Sequence, residues 1–428
     1  MTEFEKDFCE VSAERAYKLM LSLAHERVSC TGAETSAAER LKEEAESTGA
    51  ACAIETFEAS AGRVEKAVLT VLEPYEKEYS VTGYIRSEST PEEGLELELK
   101  YVEDALEANL VGAAGKAVLV NGRVGYAMYE RLQKAKPAAI ISYSGSIFDK
   151  EGETDLDIRK IRETYTGAFG DNILVNLRAR DALELVTLGA SKVRLVVKSR
   201  RFDGYSRNVC AVIPGTEFPD EIVSFGAHYD SVEFSTGSYD NMSGSVIIME
   251  MLRYFAANPP KRTVKFNWYG SEEQGLLGSK AWTAAHKDEL EKHVLMINVD
   301  VAGPILGSEK IFTMGAEPLK NYVDAMMKEM GRAAEVKEHV YSSDSVPFAD
   351  NGVPAVNFCR FASPGAGYMH DRRDDPALAF MSAKALDITL RNVLAFSKRV
   401  INAPVFPIEK KISDSMKDSV DKYLFRKK

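Results

Sequence analysis

Histidine and carboxylate side chains follow four apolar segments in the C-terminal half of the chain, the last of them after a Gly/Pro-bearing loop. Each segment is short and has the composition of a buried β-strand. Because the carboxyl ends of parallel strands meet at one edge of a sheet, we expect these side chains to lie close together. The segments and the residues that follow them are Glu221–Ala227 with His228 and Asp230, Thr263–Tyr269 with Glu272 and Glu273, Val294–Val299 with Asp300, and Val353–Phe358 with His370.

Imidazole and carboxylate groups without a thiolate are a donor set that suits two zinc ions or similar divalent ions. Two neighbouring ions need a bridging carboxylate, and a further free carboxylate is needed as general base. Adjacent residues in extended chain point to opposite sides, so one of Glu272 and Glu273 can bind metal while the other faces water. Asp230 is spaced to hold the second nitrogen of His228.

Taken singly, each of these signals has a simpler explanation. A His-x-Asp sequence occurs by chance, and a Glu-Glu pair usually lies on a solvated face. Asp240 precedes a predicted helix over Asn241–Ala257 and alone would be a helix cap. The combination of all of them at strand ends is what favours a metal site.

Strands alternate with helices from Arg207 onward, which predicts an α/β fold with a mostly parallel mixed sheet sandwiched by helices. Asp375 is predicted to cap a last long helix that has Pro376 at its first position and runs to about Val400. The tail, Ile412–Lys428, is a helix candidate expected to pack on its own domain rather than in a dimer contact.

Residues 75–200 have a different sequence pattern, which predicts short strands and helices and contains no cluster of metal ligands. We therefore predict a catalytic domain in two segments, residues 1–74 and 201–428, interrupted by a small α/β module at 75–200.

Composition excludes some classes of partner. The chain has 428 residues and a formal net charge of −11, which disfavours nucleic acid and anionic membranes. No apolar run is long enough for a transmembrane helix, and Met1–Glu10 does not resemble a secretory signal. Five scattered Cys residues are expected to be thiols in a reducing cytoplasm. The sequence leaves two alternatives open, namely a mature secreted form and a homo-oligomer.

Five motifs together make the pattern specific. They resemble the co-catalytic zinc aminopeptidase family, which includes leucyl-type aminopeptidases and glutamate carboxypeptidase relatives. The resemblance covers residues 207–400 and implies a zinc-dependent exopeptidase fold of the phosphorylase/hydrolase-like type. It also implies that residues 75–200 are an inserted protease-associated (PA) domain. The motifs are GAHYDS, GSYDNMSG, WYGSEEQGLLGS, NVDVAG and YMHDRRDD.

The resemblance implies a role for each matching residue and a cis peptide bond between Asp240 and Asn241. One departure is Met369, which stands where several relatives have a tyrosine that stabilises the oxyanion; Tyr368 is one residue further back. The implied roles are zinc ligation by His228 and Asp300, ligation of a second zinc by Glu273 and His370, bridging by Asp240, general base for Glu272, orientation of His228 by Asp230, a supporting carboxylate at Asp374 and oxyanion stabilisation by Tyr368.

The implied activity is an aminopeptidase in which metal-bound hydroxide attacks the first peptide carbonyl of a peptide substrate. A glutamate-type carboxypeptidase is the nearest alternative, because Arg360, Arg372 and Arg373 flank the last ligand and could hold a substrate carboxylate. A non-catalytic receptor on the same scaffold is a third reading, which the complete ligand set argues against. His286 and His293 are expected to face solvent.

Overall fold

A computed structural model of the chain describes residues 10–149, 156 and 159–427. The described chain forms two compact units, one made of the residues up to Ala59 with those from Gly204 onward, the other of Ser60–Asp203. The domain boundaries predicted from sequence, 75 and 200, stay predictions. Most of Met1–Glu10, including the Cys9 thiol, lies outside the described residues. Cys30, Cys52, Cys210 and Cys359 are free thiols.

The strands of the described residues, in chain order, are β1 Ala51–Glu73, β2 Lys77–Ile85, β3 Leu95–Tyr101, β4 Ala117–Leu119, β5 Ala139–Ser144, β6 Arg159–Lys160, β7 Ile173–Arg178, β8 Lys192–Ile213, β9 Phe218–His228, β10 Arg262–Tyr269, β11 His293–Val299, β12 Gly307–Met314, β13 Glu335–Glu338 and β14 Ala355–Ala362.

The α-helices of the same residues are α1 Ala13–Ser22, α2 Gly32–Glu46, α3 Tyr126–Ala135, α4 Glu163–Phe169, α5 Ala179–Thr187, α6 Ser243–Ala257, α7 Leu277–Ala285, α8 Glu317–Glu329, α9 Ser345–Asp350, α10 Ala383–Ile401 and α11 Asp414–Tyr423.

The sheet of the first unit has the order β8-β10-β9-β11-β14-β12-β13. Strands β10, β9, β11 and β14 are mutually parallel, whereas β8 and β12 run antiparallel to their neighbours β10 and β14. The predicted mixed α/β fold is therefore confirmed, although β12 and β13 were not predicted. The parallel pairing brings the carboxyl ends of the four central strands to one edge, where the candidate ligands follow them.

Neighbouring strand residues point to opposite faces of this sheet, and each face has an apolar cluster. Helices pack against both clusters and so cover both faces. Trp268 packs in the cluster that includes α6 and α10, and its neighbour Tyr269 packs in the cluster on the opposite face. Met416 and Val420 of α11 are buried in that second cluster. The prediction that the tail packs on its own domain is thus confirmed.

Two expectations about the first unit are wrong. His293 does not face solvent: it is fully buried, with its ring nitrogens 3.0 Å from Ser224 Oγ and Glu289 Oε1. The helix predicted to begin at Pro376 is only a short turn, because Ala379 adopts a left-handed conformation (φ 55°) that interrupts it. Helix α10 begins afterwards, with the Ser382 side chain as its cap.

In the second unit, β3, β4, β5 and β7 pair in parallel and β2 pairs antiparallel with β7. Apolar residues on both faces of these strands form two separate clusters. Among the described residues of the whole chain, no helix combines the length and the apolar composition that a bilayer crossing requires.

Candidate metal centre

Five of the predicted residues meet at the carboxyl edge of the first unit's sheet. His228 is the last residue of β9, and Asp300 directly follows β11. Glu273 lies in a tight turn after β10, and Asp240 lies in the turn that leads into α6. His370 comes from the long loop after β14. Parallel strand pairing therefore gathers donors from distant parts of the sequence.

Asp240 lies between the two histidines. Its Oδ1 is 3.1 Å from His228 Nε2, and its Oδ2 is 3.2 Å from His370 Nε2. Asp300 Oδ1 is 3.7 Å from His228 Nε2, and Glu273 Oε1 is 3.0 Å from His370 Nε2. Two groups of donors therefore share Asp240, and a third group consists of His228, Glu272 and Glu273; within each group one atom per residue lies within 4.8 Å of the others.

The two groups that contain Asp240 differ in exposure. The His228 side chain is 1% exposed, whereas that of His370 is 46% exposed. His370 also has a left-handed backbone (φ 55°) in its loop. The site is thus open to solvent on the His370 side.

Asp230 supports both the first histidine and the carboxylate turn. Its two oxygens accept hydrogen bonds from the backbone N–H groups of Glu272 (3.0 Å) and Glu273 (3.1 Å). Its Oδ1 also lies 3.4 Å from Nδ1 of His228. Asp230 is fully buried, so its carboxylate lies against the imidazole ring on the Nδ1 side, where a supporting group would orient a histidine that binds metal.

Glu272 belongs to neither of the two groups of donors that contain Asp240. Its Oε2 lies 3.9 Å from His228 Nε2, and its side chain is 11% exposed. Burial raises the pKa of Glu272 well above its ordinary value, although the imidazole of His228 opposes this. A carboxyl group with a raised pKa beside a ligand cluster is suited to proton transfer.

The backbone around Asp240 is held by Asp374. The carboxylate of Asp374 is fully buried and accepts hydrogen bonds from the N–H groups of Tyr239 (2.7 Å) and Asp240 (3.0 Å). Burial raises the pKa of Asp374 to about 7. The peptide bond between Asp240 and Asn241 is cis, as the resemblance implies.

Arg27 is a structural support for the site that has no role in the sequence-based prediction. Its guanidinium is fully buried and reaches both its own segment and the loops on either side of Asp230. Burial lowers the pKa of Arg27 to about 10, although nearby carboxylates oppose this. Its hydrogen bonds go to the backbone carbonyls of Leu23, His25, Tyr229, Thr236 and Gly237, at 2.6–2.9 Å.

Among the described residues, no hydrogen bond or ion pair links Tyr368 to the five gathered residues. Its ring, 37% exposed, lies 3.6 Å from the Arg373 guanidinium. Tyr341, which sequence reasoning missed, is subject to the charges of the site. Burial, and then the charges of Asp300, Asp240 and Glu272, raise the pKa of Tyr341 well above its ordinary value. No motif distinguishes Tyr341 in the sequence.

The donor chemistry fits divalent metal ions. Several carboxylates with only two imidazoles are buried at one point, and such a concentration of negative charge is costly without a cation. Burial opposes the charged form of the His228 imidazole, but the carboxylates around it raise its pKa well above the ordinary value. Nitrogen and oxygen donors without a thiolate match zinc and related ions.

Known proteins resemble this chain in both sequence and fold. Residues 208–397 match the sequence model of peptidase family M28. Probable leucine aminopeptidase 1 of Trichophyton verrucosum is 35% identical over 156 residues, covering 33% of this chain and 41% of that protein. Aminopeptidase YwaD of Bacillus subtilis is 32% identical over 144 residues, covering 32% of each protein. The chain thus spans less than half the length of these relatives.

Solved structures extend the similarity of fold to nearly the whole chain. A zinc aminopeptidase from Bacillus subtilis aligns with a TM-score of 0.75 at 21% identity, covering 94% of this chain and 99% of that one. A peptidase M28 precursor from Shewanella amazonensis aligns with a TM-score of 0.79 at 22% identity, covering 96% and 98%.

Proposed function

We propose that the chain is a zinc-dependent aminopeptidase of peptidase family M28, whose sequence model matches residues 208–397, and that it removes N-terminal residues from peptides. The relatives named as aminopeptidases support the proposal. The single observation that carries it is the position of Asp240, with one oxygen toward His228 and the other toward His370. That arrangement suits a carboxylate that bridges two metal ions.

We propose two zinc ions per chain. His228 and Asp300 would hold one ion, Glu273 and His370 the other, with Asp240 shared. When bound, the ions supply Lewis acidity that polarises the scissile carbonyl and lowers the pKa of a water molecule at the site.

The residues of the chain then carry the proton. Glu272 would accept a proton from the attacking water and deliver it to the amine of the leaving peptide. Asp230, through the N–H groups of Glu272 and Glu273, would keep this carboxylate in place. The carboxylates of the site would hold the free amino group of the substrate, which selects for an unblocked N-terminus.

The internal contacts of two arginines near the last ligand, Arg360 and Arg373, favour an aminopeptidase over a carboxypeptidase. Arg360 is 7% exposed and donates to the carbonyl of Pro304 (2.9 Å) and to Glu309 (3.3 Å). Arg373 donates twice to Asp371. These two guanidinium groups are engaged within the chain, so they are poorly suited to hold a substrate carboxylate. The third arginine, Arg372, lies over the Phe234 ring at 4.1 Å.

The proposal is tested by a substrate panel with the zinc-loaded chain. We expect hydrolysis of aminoacyl-arylamides and free-amine peptides. N-acetylation of the same substrates should lower kcat/KM at least about 100-fold, because it removes the charged amine that the carboxylates of the site would hold. Peptides cleaved from the C-terminal end instead would favour a carboxypeptidase, and inactivity with every divalent metal supplied would favour a binding protein.

We propose Tyr368 as the donor that stabilises the oxyanion; its proximity to His370 in sequence supports this. Tyr368→Phe should then lower kcat by roughly 10²–10³-fold with a small change in KM. Tyr341→Phe is the matched comparison, because the charges of Asp300 and Asp240 act on the Tyr341 hydroxyl. If Tyr341→Phe carries the loss and Tyr368→Phe does not, the assignment to Tyr368 is wrong.

We also propose that residues 75–200 are a protease-associated domain inserted ahead of His228. The parallel pairing of β4, β5 and β7 supports a small α/β module there. A crystal structure of the full chain in which this segment superposes on a known protease-associated domain would support the assignment. A different strand order would contradict it.

A further inference from the structure

Glu34 is a buried carboxyl group that the proposed reaction does not use. It lies in the first turn of α2 and is 0% exposed. Three groups donate hydrogen bonds to it: the Ser206 hydroxyl (2.6 Å), the Ser271 hydroxyl (3.2 Å) and the backbone N–H of Cys30 (2.7 Å). The side chain is therefore tied to three separate parts of the first unit.

Ser271 connects this carboxyl group to the proposed active site. It directly precedes Glu272 and adopts a left-handed conformation (φ 55°), which is uncommon for a residue with a side chain. The Ser29 hydroxyl donates to the Ser271 hydroxyl, which in turn donates to Glu34. A chain of hydrogen bonds thus runs from the N-terminal segment to the residue at which the carboxylate turn begins.

The backbone at this point lies close to Glu34. A Cβ atom added at Gly270 would be 2.9 Å from Glu34 Oε1 and 2.4 Å from Ser206 Oγ. Gly270 therefore allows the strand end to approach the carboxyl group, and the glutamate fills the space behind the turn.

We propose that Glu34 is a positioning residue for the reaction: through Ser271 it fixes the turn that carries Glu272 and Glu273. This inference rests on the proposed function for its kinetic consequence. Asp230 binds the N–H groups of the same turn, so the turn is held by two carboxyl groups from different segments. Groups that support ligands in this way commonly change metal affinity or activity about 10–100-fold when they are replaced.

A carboxylate suits this position better than an amide. All three partners donate to Glu34 in the structure, and only an acceptor with two oxygens keeps all three bonds without turning the serine hydroxyls. Glutamine would turn an NH₂ group toward at least one of these donors. Glu34→Gln should therefore release the turn while keeping the size of the side chain.

The test uses the full chain with three variants. Glu34→Gln and Ser271→Ala interrupt the connection to the turn. Ser206→Ala is the matched control, because it removes the shortest hydroxyl bond to Glu34 without altering Ser271. Each protein is assayed for kcat and KM on an aminoacyl-arylamide, and each chelator-treated protein is titrated calorimetrically with zinc.

We expect Glu34→Gln and Ser271→Ala to lower kcat about 10–100-fold and zinc affinity about tenfold, with KM within about twofold. Ser206→Ala should stay within about twofold of the wild type in each quantity. Unchanged kcat and zinc affinity in Ser271→Ala would overturn the inference, and so would an equal loss in Ser206→Ala.

The readouts separate this inference from the proposed function. If the wild type has no peptidase activity, the proposed function fails, and the zinc titrations alone decide the role of Glu34. If Glu34→Gln does not fold, Ser271→Ala decides it.

Discussion

Replacing Glu272 by glutamine is expected to remove most of the turnover and to leave the zinc content unchanged. Glutamine has nearly the same shape, but it cannot accept a proton from water or return one to the leaving amine. Positioned acid–base groups contribute roughly 10²–10⁴-fold to rates, so kcat should fall by that amount. Steady-state kinetics together with metal analysis of the same sample checks both parts.

The adjacent residue provides the matched control. Glu273→Gln removes an oxygen 3.0 Å from His370 Nε2, so we expect it to lose zinc from one position. Glu272 lies 3.9 Å from the nearest imidazole nitrogen and belongs to neither group of donors that contains Asp240. A Glu272→Gln variant with a near-normal kcat, or one that lost zinc as Glu273→Gln does, would show that the roles are assigned wrongly.

Asp240→Ala is expected to leave neither zinc position at stoichiometric occupancy and to reduce hydrolysis to background. The reason is geometric: Asp240 Oδ1 lies 3.1 Å from His228 Nε2, and Oδ2 lies 3.2 Å from His370 Nε2. Removing this one side chain takes a donor from both groups. Zinc content after dialysis, measured by elemental analysis, is the readout.

Asp300→Ala is the comparison for this experiment, since the Asp300 carboxylate belongs to the His228 group of donors. We expect it to lose one ion and keep the other. If Asp240→Ala retained both ions tightly, or if it lost only the one that Asp300→Ala loses, the bridging role would be refuted.

The edge at which the candidate ligands meet was predictable from sequence. Apolar strands followed directly by His228 or Asp300 imply one sheet edge, because parallel strands end together. Helix α6 was predicted almost to its limits, since Pro259 and Pro260 end it. These features are local or depend on one general rule of topology, so a single sequence contains them.

Supports that join distant segments could not be predicted. Arg27 reaches Gly237, and Glu34 reaches Ser271, across more than 200 positions. No periodicity or spacing links such pairs, and a buried arginine or glutamate has no local signal that separates it from a surface one. Their roles come from tertiary contacts alone.

Local signals also failed where tertiary structure overrides them. Asp375 followed by Pro376 has the sequence of a helix start, but Ala379 turns the chain so that the long helix begins only after Ser382. His293 was expected in solvent because it flanks the predicted helix and strand after Glu273; instead it is buried, with a ring nitrogen 3.0 Å from Ser224 Oγ. Both errors reflect packing that the neighbouring residues do not reveal.

The central claim is a pair of zinc ions bridged by Asp240. Crystals of the zinc-loaded chain, measured on both sides of the zinc absorption edge, test it most directly. We predict two anomalous peaks about 3.5–4 Å apart, each about 2.0–2.2 Å from a different oxygen of Asp240. A single peak, or two peaks that do not share Asp240, would contradict the account.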